Sequence, residues 1–366
     1  MSDTLVIGAG IIGLLTARAL AEAGAEVTLI EMGATGREAS WAGGGILSPL
    51  YPWRYAEAVT ALTQWSQLQY PQLCAALREA TGIDPELSQD GLLILDSDEE
   101  VGASAWAQRH GAVLEGLDAP AIRSLEPRLG PQPARALWLP EVAHVRNPRL
   151  IKALRQAIDR QIKLREHEEV TELMASHGRV TGARTRYGVY KADRVVVCIG
   201  AWTARLLEQL GQRPAIHPVR GQMILFHAQP GQIRHLVLSG GHYAIPRRDG
   251  CILFGSTLEH TGFAKTTTAA AKEELHDQAV ALFPLLQRCP IGEHWAGLRP
   301  SSPDGIPFIG RHPGIDGLYV NAGHFRNGLA MAPASAQLVT DLILGREPIL
   351  SPTPYALDVG RESQGP

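Results

Sequence analysis

The chain alternates between two hydrophobic periods. A short apolar run at Leu5-Val-Ile7 leads through Gly8-x-Gly10-x-x-Gly13 into a helix-favouring stretch, then into a second run, Val27-Thr-Leu-Ile30, that ends on Glu31. Strand, glycine turn, helix and strand in that order predict a βαβ unit. Apolar residues including Trp65 and Leu68 recur at helical spacing over 55–80, with Pro71 predicted to interrupt the helix. A strand is predicted over 91–95. Asn147-Pro148 predicts a helix start, Asn as N-cap and Pro in the first turn, with the helix running to about Arg160.

Strands are predicted over 162–165, 169–175, 180–185 and 194–199. The last is apolar without a break, which suits a strand buried on both faces. A helix through Leu206 and Leu207 follows. Residues 216–226, 235–246 and 251–257 alternate like an antiparallel sheet. A helix is predicted over 267–283 and short strands over 294–298, 306–310 and 317–321. One amphipathic helix should run from Gly328 to Leu344 and stop at Gly345, after which the last twenty residues should trail over the surface. No internal repeat is visible.

This order predicts an α/β fold with a Rossmann-like cofactor domain assembled from residues 1–50, 145–215 and 300–345. An α+β substrate domain on an antiparallel sheet, residues 51–144 and 216–299, is inserted into it, and 346–366 form a tail. The chain's 366 residues suffice for two such cores.

The first glycines carry chemistry. Gly8 permits a tight turn, Gly10 lets the backbone approach a pyrophosphate, and Gly13 lets the helix pack closely on the strand. The helix N-terminus offers unpaired N–H groups to phosphates. Glu31 is placed to accept hydrogen bonds from ribose hydroxyls, and its charge disfavours a 2′-phosphate. A glycine turn in some unrelated α/β protein lacks this strand, helix and acid together. The unit alone does not choose between NAD and FAD. Residues 34–50 are rich in Gly, Ala and Ser, with three consecutive glycines at 43–45. Such backbone can run flat against a planar group or form a flexible surface loop; Trp41 and Ile46 argue against the loop.

Composition narrows the partners. A net charge of −3 and a pI near 6.5 favour neither nucleic acid nor an anionic membrane. The four cysteines, Cys74, Cys198, Cys251 and Cys289, form no CxxC pair, so free thiols are expected and no metal site. The first residues lack a basic region and a cleavage site, and the apolar stretch from Leu5 is broken by three glycines. A cytoplasmic protein is expected.

Three further segments carry a resemblance. Trp295-Ala-Gly-Leu-Arg299-Pro-Ser-Ser-Pro-Asp304-Gly-Ile-Pro-Phe-Ile-Gly310 resembles the GxRPxxxDxxPxIG stretch of the D-amino-acid oxidase group of FAD enzymes. Ala322-Gly-His324-Phe325-Arg326-Asn327-Gly328-Leu329-Ala330 resembles that group's C-terminal flavin-contacting turn. His242-Tyr243-Ala-Ile-Pro246-Arg247 resembles its active-site tyrosine strand. With the N-terminal unit and residues 195–202 the resemblance spans nearly the whole chain, and it is closest to the glycine-oxidising branch tied to thiazole and thiamine synthesis.

The resemblance implies non-covalent FAD, a small amino acid substrate, dioxygen as electron acceptor, and a homo-oligomer (a tetramer). It makes Arg299 the carboxylate anchor, Tyr243 a second donor to the same carboxylate, and Arg326 a substrate-orienting residue. A guanidinium suits the first role because it grips a carboxylate with two parallel bonds. A surface arginine, a core tyrosine and a loop salt bridge are the plain alternatives for the three.

Implied cofactor contacts are Ile11 and Ile12 at the phosphate turn and Glu31 and Met32 at the ribose. Ala39 and Ser40 are expected in the loop, Gly44, Gly45 and Ile46 against the ring, and Val170 near the adenine. Gly200 and the run His324 to Ala330 complete the set. No side chain is assigned as acid or base. Leu258, Leu238 and Ile46 depart from relatives and are expected to keep the pocket small and dry. The rival readings are a sarcosine oxidase with flavin linked to a cysteine, a D-amino acid oxidase or dehydrogenase, and a flavin-binding module without catalysis.

Overall fold

In the computed structural model the described residues are 3–95, 98–130, 133–158, 161–211 and 213–358. Thr4–Ile7 is buried at every position. It pairs in parallel with Arg194–Val197 on one side and Val27–Ile30 on the other. The full order of this sheet is Phe308–Arg311, Leu318–Ala322, Arg194–Val197, Thr4–Ile7, Val27–Ile30, Lys163–Arg165, and only the first pair is antiparallel. Its unbroken apolar runs have a reason. Val6, Leu29 and Val196 pack with the helices Ile11–Glu22, Glu57–Thr81, Asn147–Ile158 and Gly328–Leu344. Leu5, Ile7, Ile30, Val195 and Val197 face the Thr203–Leu207 helix and a three-stranded meander, Val170–Ser176, Arg179–Thr185 and Gly188–Lys191. Both faces are covered, so alternation is lost.

The second sheet has eight strands. Ile291–Ser301, His217–His227, Cys251–Gly255, His242–Pro246 and Leu236–Ser239 run antiparallel, and Leu92–Ile94 then joins Leu236–Ser239 in parallel. Arg135–Leu139 and Glu115–Asp118 close the edge.

Several expectations need correction. The predicted strand 235–246 is two strands, because Gly240 (φ 55°) and Gly241 (φ 79°) take left-handed conformations and make a two-residue hairpin. The helix predicted to break at Pro71 continues to Thr81. A proline inside a helix costs about 3 kcal/mol, and here Tyr70, Cys74 and Leu77 anchor the same stretch in the core. Asn147 opens its helix, but its side chain crosses to the Ser40 carbonyl (2.9 Å) and does not cap. That helix reaches Ile158, and Arg160 lies outside the described residues. The strand predicted to end at Leu298 runs on to Ser301, so Arg299 sits on it. The C-terminal segment does not trail as far as residue 358. Tyr355 is buried and donates to the Ala58 carbonyl at 2.8 Å, and Leu357 packs on the core. The helices Glu100–His110 and Ala119–Leu125 were not foreseen.

The Gly328–Leu344 helix ends as expected at Gly345 in a left-handed conformation. It also contains Pro333, which has no N–H for the Leu329 carbonyl. The Tyr70 hydroxyl supplies that bond at 2.6 Å. Among the described residues no helix is long and apolar enough to cross a membrane.

Gly13 explains the tightness of the first turn: a Cβ there would overlap the Gly8 carbonyl oxygen. Gly13→Ala is therefore expected to destabilise the chain by about 1–3 kcal/mol, the usual cost of overpacking. Thermal denaturation checks this; an unchanged Tm would show that the turn can relax.

Candidate active site

A cavity of about 450 Å³ runs from the C-terminal ends of the parallel strands to the face of the eight-stranded sheet. That is where open α/β sheets place ligands. Gly8, Gly10, Ile11 and Ile12 line its first wall. Gly8 has φ 98°, and a Cβ on it would lie 2.6 Å from the Cys198 carbonyl oxygen. The Ser40 hydroxyl accepts the Ile11 N–H at 2.9 Å, which ties the glycine-rich loop to the helix N-terminus. Glu31 and Met32 also line this end. The Glu31 carboxylate accepts from Ala9 N (2.7 Å) and Gly33 N (3.0 Å). Burial pushes its pKa above the usual value, against the pull of those two N–H groups. Val170 and Gly200 lie along the same cavity.

Ala39, Ser40, Gly44, Gly45 and Ile46 form the middle wall. Gly44 has no room for a side chain, since a Cβ would meet Ile245 at 2.7 Å and Tyr243 at 3.0 Å. Gly45 has φ 85°, and a Cβ there would overlap the Val145 carbonyl. The opposite wall is His324, Phe325, Arg326, Asn327, Gly328 and Leu329. Phe325 takes a left-handed φ of 44°, which is costly for a non-glycine residue. His324 Nε2 meets the Ser335 hydroxyl at 3.0 Å, and burial depresses its pKa to about 3.

The end of the cavity at the eight-stranded sheet is organised by Arg299. Its Nη2 donates to the Ser256 hydroxyl at 2.6 Å and its Nη1 to the Thr257 carbonyl at 3.1 Å. The Tyr243 hydroxyl lies 3.3 Å from the same Ser256 oxygen. Burial lowers the Arg299 pKa, Tyr243 opposes that shift, and the like charge of Arg326 adds to it. Among the described residues no carboxylate pairs with Arg299. Gly221 makes its position possible, because a Cβ at 221 would overlap the guanidinium. Behind Ser256 and Thr257, Glu259 binds Arg220, Gln222 (2.8 Å) and Thr257 (2.6 Å). Burial raises the Glu259 pKa, but these hydrogen bonds outweigh it and leave the value at about 2.

Two expected contacts are not at the cavity surface. Gly13 works behind it through packing, and Ala330 is buried in the helix core. Of the three departures from relatives only Ile46 lines the cavity. Leu238 is buried in the core opposite Tyr243, and Leu258 is half exposed. Hence Leu238 and Leu258 do not set the pocket's polarity directly. Ser256, Gly221 and Asn147 were missed. Asn147 was readable as polar at a helix start, but its partner lies 107 residues earlier.

The model of the FAD dependent oxidoreductase family matches residues 3–342. The chain belongs to that family. It is 52% identical over 356 residues to the glycine oxidase of Pseudomonas putida, covering 97% of this chain and 98% of that one. The crystal structure of glycine oxidase from Geobacillus kaustophilus superposes with a TM-score of 0.94 at 29% identity, covering 98% of each chain. A bifunctional ThiO/ThiG protein of a Nostoc species is 31% identical over 97% of this chain and 55% of its own length.

The cofactor of this FAD-dependent oxidoreductase family fits the cavity on its own terms. Two helix N-termini and a carboxylate line it, and at Gly8, Gly44 and Gly45 of its wall a Cβ would overlap neighbouring protein atoms. Asn147 Oδ1, Asn321 Oδ1 and Asn327 Nδ2 are buried at its wall without a hydrogen-bond partner in the protein. Among the cysteines only Cys198 reaches the wall, and burial raises its thiol pKa to about 12. A thiol so poorly ionised is a weak nucleophile toward a flavin.

Two expectations follow. Gly221→Ala should displace the guanidinium and raise the KM for substrate while FAD content, read from the flavin absorbance, stays near one per chain. Unchanged KM would show that Arg299 has room to move. Glu259 titrates near 2 when folded against 4.5 ordinarily. Its contribution to stability is therefore complete above about 4.5 and lost as pH falls toward 2. Between pH 5 and 3 the Tm of Glu259→Gln should fall less than that of the wild type; parallel curves would exclude the network.

Proposed function

We propose that this FAD-dependent oxidoreductase is a glycine oxidase that deaminates glycine and other small amines, sarcosine and small D-amino acids among them. The products are the keto acid (glyoxylate from glycine), ammonia or an amine, and hydrogen peroxide. The observation that carries the reading is the half-buried Arg299 guanidinium, desolvated within the cavity wall, which meets a hydroxyl and a carbonyl but, among the described residues, no acid. A buried cation left without a counter-charge is costly, and a substrate carboxylate completes it.

FAD, when bound, would supply the redox chemistry, a hydride acceptor for the substrate α-carbon and a route for the electrons to dioxygen. The chain's own part is binding and orientation. Arg299 holds the carboxylate by two parallel bonds, and Tyr243 adds a third donor. Arg326 brings a second positive charge to the same end of the cavity. Fixing the substrate in this way supplies much of the rate. The N-terminus of the Gly328–Leu344 helix favours negative charge on a ring bound beside it. His324 stays neutral at working pH because burial holds its pKa near 3, so it is no general base. The amine arrives neutral or loses its proton to solvent on entry, and the imine product hydrolyses to the keto acid.

The proposal extends to organisation. The cofactor domain comprises 1–50, 145–215 and 300–345, with the Glu57–Thr81 helix packed on it, and the inserted domain carries Tyr243 and Arg299. Likeness to the ThiO/ThiG protein supports a role in thiamine biosynthesis; we extend the proposal to a cytoplasmic homotetramer serving thiazole synthesis.

Arg299→Ala should raise the KM for glycine by about a hundredfold, the scale of losing a buried charge-assisted pair, and leave FAD bound. The assay is peroxide release from glycine, sarcosine, N-ethylglycine, D-alanine and D-proline. An unchanged KM would remove Arg299 from the site. Flavin that stays oxidised under argon with all five amines would favour a binding module.

A further inference from the structure

The strand His242–Pro246 meets the cavity at Tyr243 and runs on behind its glycine-rich wall. Tyr243, Ile245 and, one step past the strand, Arg247 alternate onto one face. The first two pack on Gly44. Arg247 is buried and meets the same loop by hydrogen bonds. Its Nη2 donates to the Gly44 carbonyl at 2.7 Å and its Nη1 to the Val145 carbonyl at 3.0 Å. Nη1 also lies 2.9 Å from His144 Nδ1. The segments that carry these carbonyls are bonded to each other, Val145 N to Gly45 O and Leu47 N to Ala143 O, each at 2.9 Å. Arg247 thus stands behind the wall formed by Gly44 and Gly45.

The protonation state of His144 follows from chemistry. A guanidinium can only donate, so Nδ1 must be the bare, accepting nitrogen. The proton sits on Nε2, which lies 2.8 Å from Asp90 Oδ2. A second proton would set N–H against N–H across the 2.9 Å contact.

We propose that Arg247 is a positioning residue for the cofactor: clasped by neutral His144, it fixes the Gly44 and Val145 carbonyls and so the wall against which FAD binds, and protonation of His144 releases it. The inference rests on reading that wall as the flavin's.

The surrounding charges are accounted for. Asp90 faces His144 with opposite charge, and Arg247 and Arg248 face it with like charge after protonation. Burial is the largest influence and holds His144 below its ordinary value. Around Arg247 stand Arg146 and the acids Glu86, Asp249 and Asp90. Burial and then Arg146 lower its pKa to about 10, which leaves it a cation at neutral pH.

The test titrates apo-protein with FAD and reads flavin fluorescence at neutral pH and near pH 5. Arg247→Lys keeps the charge but cannot serve two carbonyls and an imidazole nitrogen together. Its FAD Kd at neutral pH should rise by about tenfold or more, as for loss of a charged hydrogen bond, with a shift in the flavin absorption bands. The wild-type Kd should rise on acidification. His144→Asn keeps an acceptor for Arg247 that cannot be protonated, so its profile should be flatter. Glu31 titrates in both proteins, and only the difference between the profiles is read. An Arg247→Lys protein with wild-type Kd and spectrum overturns the proposal, as does a His144→Asn profile parallel to wild type. If Arg247→Lys does not fold, the His144→Asn comparison decides alone. A wild-type protein that takes up no FAD at neutral pH overturns the flavin reading itself.

Discussion

The constraint on which the sheet end of the cavity depends is a half-buried positive charge with no acid beside it among the described residues. Three buried or half-buried arginines make the contrast. Arg220 is neutralised by Glu259. Arg247 is spread over two carbonyls and an imidazole. Among the described residues Arg299 has neutral partners, the Ser256 hydroxyl, the Thr257 carbonyl and Tyr243, and desolvation already weakens its hold on the proton. Neutral acceptors satisfy N–H geometry but do not cancel charge. Arg299 therefore offers an anion more than water can, and it does so at the edge of a cavity long enough to hold a second group.

The rest of the architecture serves that juxtaposition. The parallel sheet brings the N-terminus of the Ile11–Glu22 helix and Glu31 to one part of the cavity, and the Gly328–Leu344 helix starts on its wall beside Arg326. The eight-stranded sheet brings Arg299 and Tyr243 to another part from two different strands. Between them the glycine loop lies flat because Tyr243, Ile245 and Val145 leave no room for side chains at Gly44 and Gly45. The same strand that presents Tyr243 to the cavity beside Arg299 leads on to Arg247 at the back of this loop. Pro333 and Tyr70 show similar coupling: the helix loses a backbone bond at Leu329, on the cavity wall, and a tyrosine from another helix restores it.

Much of this was legible in the sequence, for identifiable reasons. The βαβ unit and the buried strand near 195 are local patterns with strong period, and the helix at Gly328 carries its own stop in Gly345. The stretches that line the cavity are contiguous, so each motif places several residues at once. What was missed is non-local. Ser256 becomes the shared partner of Arg299 and Tyr243 only after strands 43 residues apart are brought together. Gly221 matters through a diagonal neighbour on the next strand, since Arg299 pairs directly with Val219. The persistence of the helix through Pro71 reflects packing that overrides propensity, and the hairpin at Gly240-Gly241 was hidden inside a run that alternates on both sides of it.

The most direct measurement compares glycine with glycinamide, which keeps the amine and the α-hydrogens but carries no carboxylate. Initial rates of peroxide formation give kcat/KM for each. If the uncompensated guanidinium binds the acid, glycinamide should be poorer by about a hundredfold, the discrimination a site gains when its buried polar groups are left unpaired. Equal kcat/KM for the two would contradict the account.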